Sequence, residues 1–562
     1  MTYTAHKQLR QFQKTLYKKA YAEAQAFSAM GSPTILKYAE QFHNTLPDTF
    51  TKIDAGELLK NMKASHFVLY GDFHTHRQSQ KGLVRLLRAF MHKYPKKNIV
   101  LAVEMFKACD QPIIDQFTDG ELSEESFLEQ IKYSRDWGFP WKNYRLIIDF
   151  IRETQTPLIG INTPNAGKDS LETRDHYGAK ILIDQNKKYR DRLVVCLIGE
   201  YHLADRHLPN SLGKMMNGRF NCLRILTNID HIYFRNPPSL KPAGSEYFFL
   251  KKNLYCILNS PPWIKWQSYS IWEEMRSVEN CEEVIFDEEI SDPSKLHTED
   301  SFDIDHQVQN ILSELVRFLD IPVLKSELDR FNVYISPEQD TFDFLKMKYR
   351  LDQSTIAKAI EDTAINGFSF IPKGNAFVIE DITLNNLATA CGQFLHSTRQ
   401  SVNFKDKEIE FFNRVFFYGA GMVASMILNP RRKAASLDVL RLYLRKSQGK
   451  RLIGHARDKR TTYREVLFFY QWIEKKLAAK EYRLVRPPRS IFAKDEVLYF
   501  EISRTLGEML GFMVYSKVIT DRKFPGPIEN FFQNLPTDKQ KLKLLFTETY
   551  LSVENGAFDP FS

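Results

Sequence analysis

Two short segments of the chain carry glycine, an acidic residue, an aromatic residue and histidine in the same order. They are residues 71–74 (Gly-Asp-Phe-His) and 199–202 (Gly-Glu-Tyr-His), and each follows an apolar run. A third apolar run ends at Glu104. Imidazole and carboxylate groups on an open face can hold a divalent metal ion or act as a general acid–base pair. His74, Glu104 and His202 are therefore the first candidates for chemistry.

Short apolar runs must position these residues. Between residue 66 and about residue 230 they alternate with amphipathic segments, and they lie at 66–71, 98–103, 157–161, 193–199 and 222–227. This alternation is typical of buried parallel strands in βαβ order. Because the carboxyl ends of parallel strands meet at one edge of a sheet, we expect the candidate residues to converge there. Asn162, at the end of the third run, is a further polar candidate.

Three interpretations of the converging residues remain open. The set His74, Glu104, Glu200 and His202 has the ligand types of a divalent-metal site. His74, Glu104 and His202 also suit general acid–base catalysis without a metal. The third interpretation is structural, because histidines at strand ends are often simply hydrogen-bonded. In each case a buried carboxylate needs a cation, a proton or a hydrogen-bond partner to offset its desolvation.

Length and composition indicate a globular protein of several domains. The 562 residues predict roughly three to four units. The composition of 43% hydrophobic and 26% charged residues excludes a wholly disordered or fibrous chain. A net charge of +9, from 78 basic and 69 acidic residues, does not indicate a dedicated nucleic-acid binder. The six cysteines show no CxxC pairing, which favours reduced core residues.

Changes in composition divide the chain into four predicted parts. Residues 1–60 are expected to form an N-terminal helical segment, and residues 61–281 the α/β domain. Residues 282–305 carry ten acidic residues against one lysine and are predicted to be a solvated linker. Residues 306–562 are predicted to be a helix-rich module with two short strands, at 333–336 and 376–379.

Neither export nor membrane insertion is expected. The first residues are polar and lack an apolar core with a small-residue cleavage site, so we expect a cytoplasmic protein. The longest apolar stretch, residues 415–428, is shorter than the roughly 18–20 residues that span a bilayer, which predicts a buried helix. The sequence does not indicate an oligomeric state.

The helix-rich module contains two patterns with possible roles. Residues 431–464 carry twelve Lys and Arg against two Asp, so they can bind an anionic partner such as nucleic acid or a membrane surface, or form a solvated helix face. Glycines at 419 and 421, and at 507 and 511, lie in apolar helical stretches, which predicts close packing of two helices.

The stretch from about residue 60 to residue 235 resembles the ChaN-like haem-binding uptake proteins, which belong to the wider superfamily of the Tiki metalloproteases and erythromycin esterases. The resemblance rests on blocks in a shared order. They are Gly71-Asp-Phe-His74 with Gln80, Val103-Glu104-Met-Phe with Asp110-Gln111, Asp119-Gly-Glu-Leu-Ser, Trp137 and Tyr144, Gly160-Ile-Asn162-Thr-Pro, and Gly199-Glu-Tyr-His202-Leu with Leu208-Pro209.

The resemblance implies an α/β fold with a parallel sheet and a site at the carboxyl edge of its strands. It implies His74, Glu104 and His202 as site residues, and haem or iron as the ligand in the ChaN branch. Tyr201 is a candidate ligand of haem iron, because a phenolate suits ferric iron, and His202 is a candidate beside it. In the hydrolase branches, the resemblance implies metal-assisted or acid–base hydrolysis.

The sequence departs from the family pattern in two ways. ChaN-like proteins are often bacterial lipoproteins, whereas no signal peptide or lipobox-type cysteine is found here. The resemblance also covers only about a third of the chain, and the second half resembles no family that we can name. Three hypotheses follow: a haem- or iron-binding protein, a metal-dependent or acid–base hydrolase, and a non-catalytic interaction scaffold. Whether the protein is an enzyme is left open.

Overall fold

The computed structural model forms two compact units. One comprises Leu16–Pro238 and Ala243–Glu289, and is called the α/β unit; the other comprises Met1–Thr15, Ser239–Pro242 and Ile290–Ser562, and is called the helical unit. The structure describes residues 5–27, 33–165, 169–218, 220–236, 245–282, 304–323, 325–328, 330–335, 339–400, 406–432, 434, 436–448, 455–478, 496–521 and 526–554. Most of the predicted linker, residues 283–303, lies outside the described residues.

The α/β unit is built on an eight-stranded sheet. The strands are β1 (Thr51–Ile53), β2 (Phe67–Asp72), β3 (Ile99–Lys107), β4 (Leu158–Asn162), β5 (Leu193–Gly199), β6 (Cys222–Thr227), β7 (Glu246–Lys251) and β8 (Leu254–Leu258). Their order in the sheet is β1-β7-β8-β6-β2-β5-β3-β4. The strands from β8 to β4 run parallel, while β7 is antiparallel to both β8 and β1. The α/β fold with a parallel sheet is therefore confirmed.

Helices precede, connect and follow these strands in the chain, and residues 5–15 of the first helix belong to the helical unit. They are α1 (Ala5–Ala26), α2 (Pro33–His43), α3 (Ala55–Lys63), α4 (Arg77–Lys93), α5 (Gln111–Thr118), α6 (Glu124–Gln130), α7 (Tyr133–Asp136), α8 (Trp141–Thr154), α9 (Leu171–Lys188), α10 (Leu208–Met215), α11 (Asp230–Arg235) and α12 (Pro262–Glu282). Every residue of β2, β4, β5 and β6 is buried, which explains why their sequences are continuous apolar runs rather than alternating ones.

One strand of this sheet differs from the prediction. Strand β1 lies within the segment predicted to be helical, and only its pairing with β7 makes these three residues a strand. Residues 246–258 form a hairpin of two strands, β7 and β8. Its turn includes Asn253 at φ +60°, a conformation that asparagine tolerates better than most residues.

The helical unit contains a small sheet among its helices. The helices are α13 (Ile304–Leu319), α14 (Lys325–Leu328), α15 (Gln339–Tyr349), α16 (Gln353–Asn366), α17 (Leu384–Ser397), α18 (Lys407–Leu428), α19 (Leu437–Ser447), α20 (His455–Ala478), α21 (Glu496–Asp521) and α22 (Lys539–Glu554). The strands are β9 (Asn332–Ile335), β10 (Phe368–Ile371) and β11 (Ala376–Ile379), in the order β10-β11-β9. The sequence analysis missed β10.

The centre of the helical unit is the close pair α18 and α21. A Cβ added to Gly511 would lie 2.5 Å from the carbonyl oxygen of Gly419, so only glycines allow the two backbones to approach this closely. The predicted close packing is confirmed. Among the described residues, α18 is long and apolar enough to cross a membrane, but 89% of its apolar window is buried inside the protein, as expected for a core helix.

Candidate functional site

The predicted convergence of side chains occurs around Gly199, at the end of β5. A Cβ added to Gly199 would lie 3.2 Å from His74 Nε2, 3.4 Å from Glu104 Oε2 and 3.4 Å from His202 Cδ2. His74 follows β2, Glu104 lies on β3, and a short 3₁₀ turn after β5 carries His202. Three neighbouring parallel strands thus deliver one side chain each, and glycine leaves the space between them open.

Glu104 lies at the centre of this site and is fully engaged by donors. Arg174 Nη2 donates to Glu104 Oε1, and the backbone N–H of Gly199 donates to Oε2 over 2.7 Å. His202 Nε2 lies 3.4 Å from Oε1. Burial raises the pKa of Glu104, but the positive charges of His202 and Arg174 outweigh burial and hold this pKa well below its usual value. The carboxylate is therefore ionised.

His202 is buried between two carboxylates. Its Nδ1 lies 2.7 Å from Asp175 Oδ1, and its Nε2 faces Glu104. Burial lowers the pKa of His202, but the charges of Glu104 and Asp175 outweigh burial and raise this pKa to about 9. The imidazole is consequently protonated at neutral pH, with both ring nitrogens donating to protein carboxylates.

His74 has a different environment. Its Nδ1 lies 2.9 Å from Asp72 Oδ2, and Asp72 also accepts hydrogen bonds from Tyr144 over 2.8 Å and from Gln80 over 2.5 Å. Its Nε2 lies 4.0 Å from Glu104 Oε2, which is beyond hydrogen-bond distance. With 22% of its side chain exposed, His74 is far more accessible to solvent than Glu104 or His202.

Aromatic side chains surround the exposed part of His74. The centre of the Trp137 ring lies 4.6 Å from the centre of the His74 imidazole, and that of Phe139 lies 4.7 Å away. Trp272 stacks on Phe139 with a separation of 4.5 Å. We call His74, Trp137, Phe139 and Trp272 the aromatic rim. It offers flat apolar surface beside an imidazole.

A separate polar cluster contains Glu200 and Tyr201. Lys265 Nζ donates to Glu200 Oε1 over 2.8 Å, and both side chains are buried. Burial raises the pKa of Glu200, although the charge of Lys265 opposes this. Burial, followed by the charge of Glu200, raises the pKa of Tyr201 to about 12, so its phenol is protonated at neutral pH. Tyr201 packs against Phe42.

Residues 58–173 match the family model described as haem-binding uptake, Tiki superfamily, ChaN. The chain carries a ChaN-like domain. A solved structure titled "Cofacial heme binding to ChaN of Campylobacter jejuni" is 12% identical, and the match covers 37% of this chain and 96% of that chain with a TM-score of 0.27. The comparison with curated proteins finds no match.

The ChaN-like domain brings together the three residues first chosen for chemistry. His74, Glu104 and His202 meet around Gly199, whereas the side chain of Glu200 pairs with Lys265 instead. Asn162 lies beside them and accepts a hydrogen bond from Arg174 Nε over 3.2 Å. Their roles in catalysis or in cofactor binding remain predictions.

The metal site predicted at His74, Glu104, Glu200 and His202 is not supported. Within the residues that the structure describes, no group of three or more His, Cys, Asp or Glu side chains is arranged to hold a metal ion. The physical reason is that protein cations already neutralise the carboxylates: Arg174 binds Glu104, and Lys265 binds Glu200.

Sequence analysis missed three residues that shape the site of the ChaN-like domain: Arg174, Asp175 and Lys265. Asp175 had a detectable signal. The buried positions of α9 are Asp175, Gly178, Ala179, Leu182 and Ile183, which is the spacing of one helix face. A carboxylate on an otherwise apolar helix face requires a buried cationic partner, and that partner is His202.

Proposed function

We propose that the ChaN-like domain binds haem across the aromatic rim, with His74 Nε2 as the nitrogen that meets the iron. One observation carries this proposal: one nitrogen of His74 is held by Asp72, and the other has no hydrogen-bond partner among the described residues. Histidines that bind metals usually donate their second ring N–H to a carboxylate in this way, because the contact fixes the tautomer and the ring orientation.

The surroundings of His74 fit a flat apolar ligand with an iron centre. Gly199 leaves open space beside Nε2, which a Cβ would fill at a distance of 3.2 Å. Trp137 and Phe139 are half-buried beside His74, so their exposed parts can pack against a porphyrin. The small pocket nearby, beside Trp137 and Tyr133, has a volume of about 10 Å³ and suits a water molecule only. Haem would therefore lie over the exposed rim.

His202 and Tyr201, the two residues first chosen as cofactor ligands, are less suited to iron. Both nitrogens of His202 face carboxylates and are not available to iron. The pKa of the Tyr201 phenol is raised to about 12, so the phenolate that would bind ferric iron is disfavoured at neutral pH. In the proposed complex, His202 instead keeps Glu104 ionised and in place. In this proposal an iron porphyrin is the ligand or the cargo. Such a ligand agrees with the haem-binding family model that residues 58–173 match.

A haem titration of the purified full-length chain tests this function. We expect a saturable Soret shift in the unmodified protein that is lost or weakened at least tenfold in His74→Ala, because the nitrogen that would bind the iron is removed. His92→Ala is the matched control, since His92 is an exposed histidine on α4. Equal haem affinity in all three proteins would refute the assignment of His74.

A second candidate function is acid–base hydrolysis. It is favoured by the pair of Asp72 and His74 beside the open space at Gly199, because an imidazole held by a carboxylate can accept a proton from a water molecule. Hydrolysis of p-nitrophenyl acetate that is lost in both His74→Ala and His202→Ala, in a protein without a haem-dependent Soret shift, would favour this candidate over haem binding.

A further inference from the structure

A large cavity lies within the helical unit. Its volume is about 920 Å³, and residues of α16, β10, α17, α18 and α21 line it. The size falls within the range of small-molecule sites, which is roughly 300–1,000 Å³. None of the residues discussed above for the ChaN-like domain contributes to it.

Two of the cations that line this cavity are paired with acidic side chains. Arg414 donates to Glu410 Oε1 over 2.8 Å through Nη2. Arg504 donates to Glu501 Oε2 over 2.6 Å through Nη2, and its Nη1 donates to Asn366. These arginines are neutralised within the protein and do not by themselves require a ligand.

Lys358 lines the same cavity without such a partner. Its ammonium lies 4.3 Å from the centre of the Phe500 ring and 5.0 Å from that of Tyr418. Among the described residues, no carboxylate lies within 4 Å of it. The aromatic faces attract the cation but accept no conventional hydrogen bond from it. Lys358 therefore presents to the cavity an amine that has no carboxylate within salt-bridge distance.

Arg432 places a second such cation on the wall. It is positioned by a hydrogen bond from Nη1 to the hydroxyl oxygen of Thr389. No carboxylate of the described chain lies within 4 Å of its guanidinium. Burial lowers the pKa of Arg432, although the more distant charge of Glu508 raises it. Guanidinium and ammonium groups that lack acidic partners are typical of sites for anions.

The rest of the lining includes apolar and aromatic surface. Phe370 and Phe417 stack with ring centres 6.3 Å apart, and both line the cavity together with Phe500. A free inorganic ion would leave this surface in contact with water. A ligand that carries an apolar body in addition to its charge would cover it.

We propose that the cavity of the helical unit binds a small organic anion, whose carboxylate or phosphate group meets Lys358 and whose apolar body packs on Phe370, Phe417 and Phe500. The amine of Lys358, which forms no salt bridge with a carboxylate of the described residues, favours a negatively charged ligand, and the aromatic wall favours a ligand with an apolar body.

The proposal predicts a pH dependence of binding. Burial lowers the pKa of Lys358 to about 7, and the positive charges of Arg414 and Arg504 act in the same direction. The carboxylates of Asp362, on the same helix, and of Glu410, on α18, oppose this shift. Because the protonated amine binds an anion better, affinity falls as the pH rises above 7.

Fluorescence titration with the aromatic anion 1-anilinonaphthalene-8-sulfonate tests the proposal on the full-length chain. We expect Lys358→Met to weaken binding about tenfold or more, because a charge-assisted contact is lost while the side-chain volume is kept. Lys541→Met, which removes an exposed lysine of the same unit outside the cavity, should leave the affinity unchanged. His74→Ala should also leave it unchanged, so that failure of the haem proposal is distinguishable from failure of this one.

Competition and pH complete the experiment without relying on any variant. Displacement of the probe by benzoate or by phenyl phosphate supports the proposal and identifies the preferred anionic group. Displacement by neutral benzyl alcohol at the same concentrations would overturn the requirement for an anion. In the unmodified protein, the affinity should fall at least tenfold between pH 6 and pH 9; an affinity that does not change over this range would contradict a role for Lys358.

Discussion

The site around Gly199 and the cavity of the helical unit use buried charge in opposite ways. In the first, Glu104 is surrounded by Arg174 and His202, so its charge is compensated entirely within the protein. In the second, Lys358 faces an open volume of about 920 Å³ with aromatic rings as its nearest neighbours. A buried charge is therefore a structural element where its partners are protein groups, and it indicates a ligand where they are not.

Among the variants proposed here, Glu104→Gln is expected to change stability most. The substitution leaves His202 buried and Arg174 half-buried without their shared carboxylate, and removing one member of a buried pair costs about 3–5 kcal/mol. We expect a loss of that order in the free energy of unfolding, measured by urea denaturation at pH 7.

Glu153→Gln provides the control for that measurement. Glu153 accepts hydrogen bonds from Arg88 over 2.8 Å and 2.5 Å, but both side chains are exposed. Exposed pairs contribute about 0–1 kcal/mol. A similar loss in both variants would contradict the view that the network around Glu104 is a closed ionic structure.

The sequence predicted the strands of this region better than the contacts. Continuous apolar runs identified β2 to β6, because a strand buried on both faces has no polar alternation. The turn glycines identified where His74 and His202 leave the sheet. Strand β1 was not predicted, because it depends on pairing with β7, which lies about 200 residues further along the chain.

The partners of the site were harder to predict, because they come from helices. Arg174 and Asp175 lie on α9, and Lys265 lies on α12. A charged residue in a helix is ordinarily exposed, so its type alone carries no signal. Only the position of Asp175 on the buried face of α9 was readable in advance. These three residues neutralise the side chains that could otherwise bind a metal ion. Because their positions were not predicted, the sequence did not distinguish a metal site from a structural role.

The second prediction concerns the pH dependence of stability in the closed network. The pKa of His202 is raised to about 9, above its ordinary value of 6.5, because Glu104 and Asp175 outweigh burial. The stabilisation is therefore complete below about pH 6.5 and is lost as the pH rises through 9. We expect the free energy of unfolding to fall by roughly 3 kcal/mol between pH 6 and pH 10 on account of this group.

His202→Gln isolates that contribution. Urea denaturation across the same pH range should show a smaller decrease in the variant, because glutamine does not titrate. His92→Gln, at an exposed position, should keep the decrease of the unmodified protein. An identical pH dependence in all three proteins would mean that His202 is not held protonated by its two carboxylates.

The smallest effect, and one of opposite sign, is expected from Lys358→Met in the helical unit. The pKa of Lys358 is lowered to about 7 from 10.5, since burial disfavours the ammonium. The charged form therefore destabilises the folded protein most below pH 7, and the penalty diminishes as the pH rises toward 10.5. Methionine keeps the apolar stem without the charge, so we expect the free energy of unfolding to rise by about 1–2 kcal/mol at pH 6, less than full burial would give because Lys358 is only half-buried. Thermal and urea denaturation of the ligand-free protein measure this change. A loss of more than about 2 kcal/mol would place Lys358 in a closed network like that of Glu104.

A gain in stability together with loss of anion binding is the result expected of a charge that is present for a ligand.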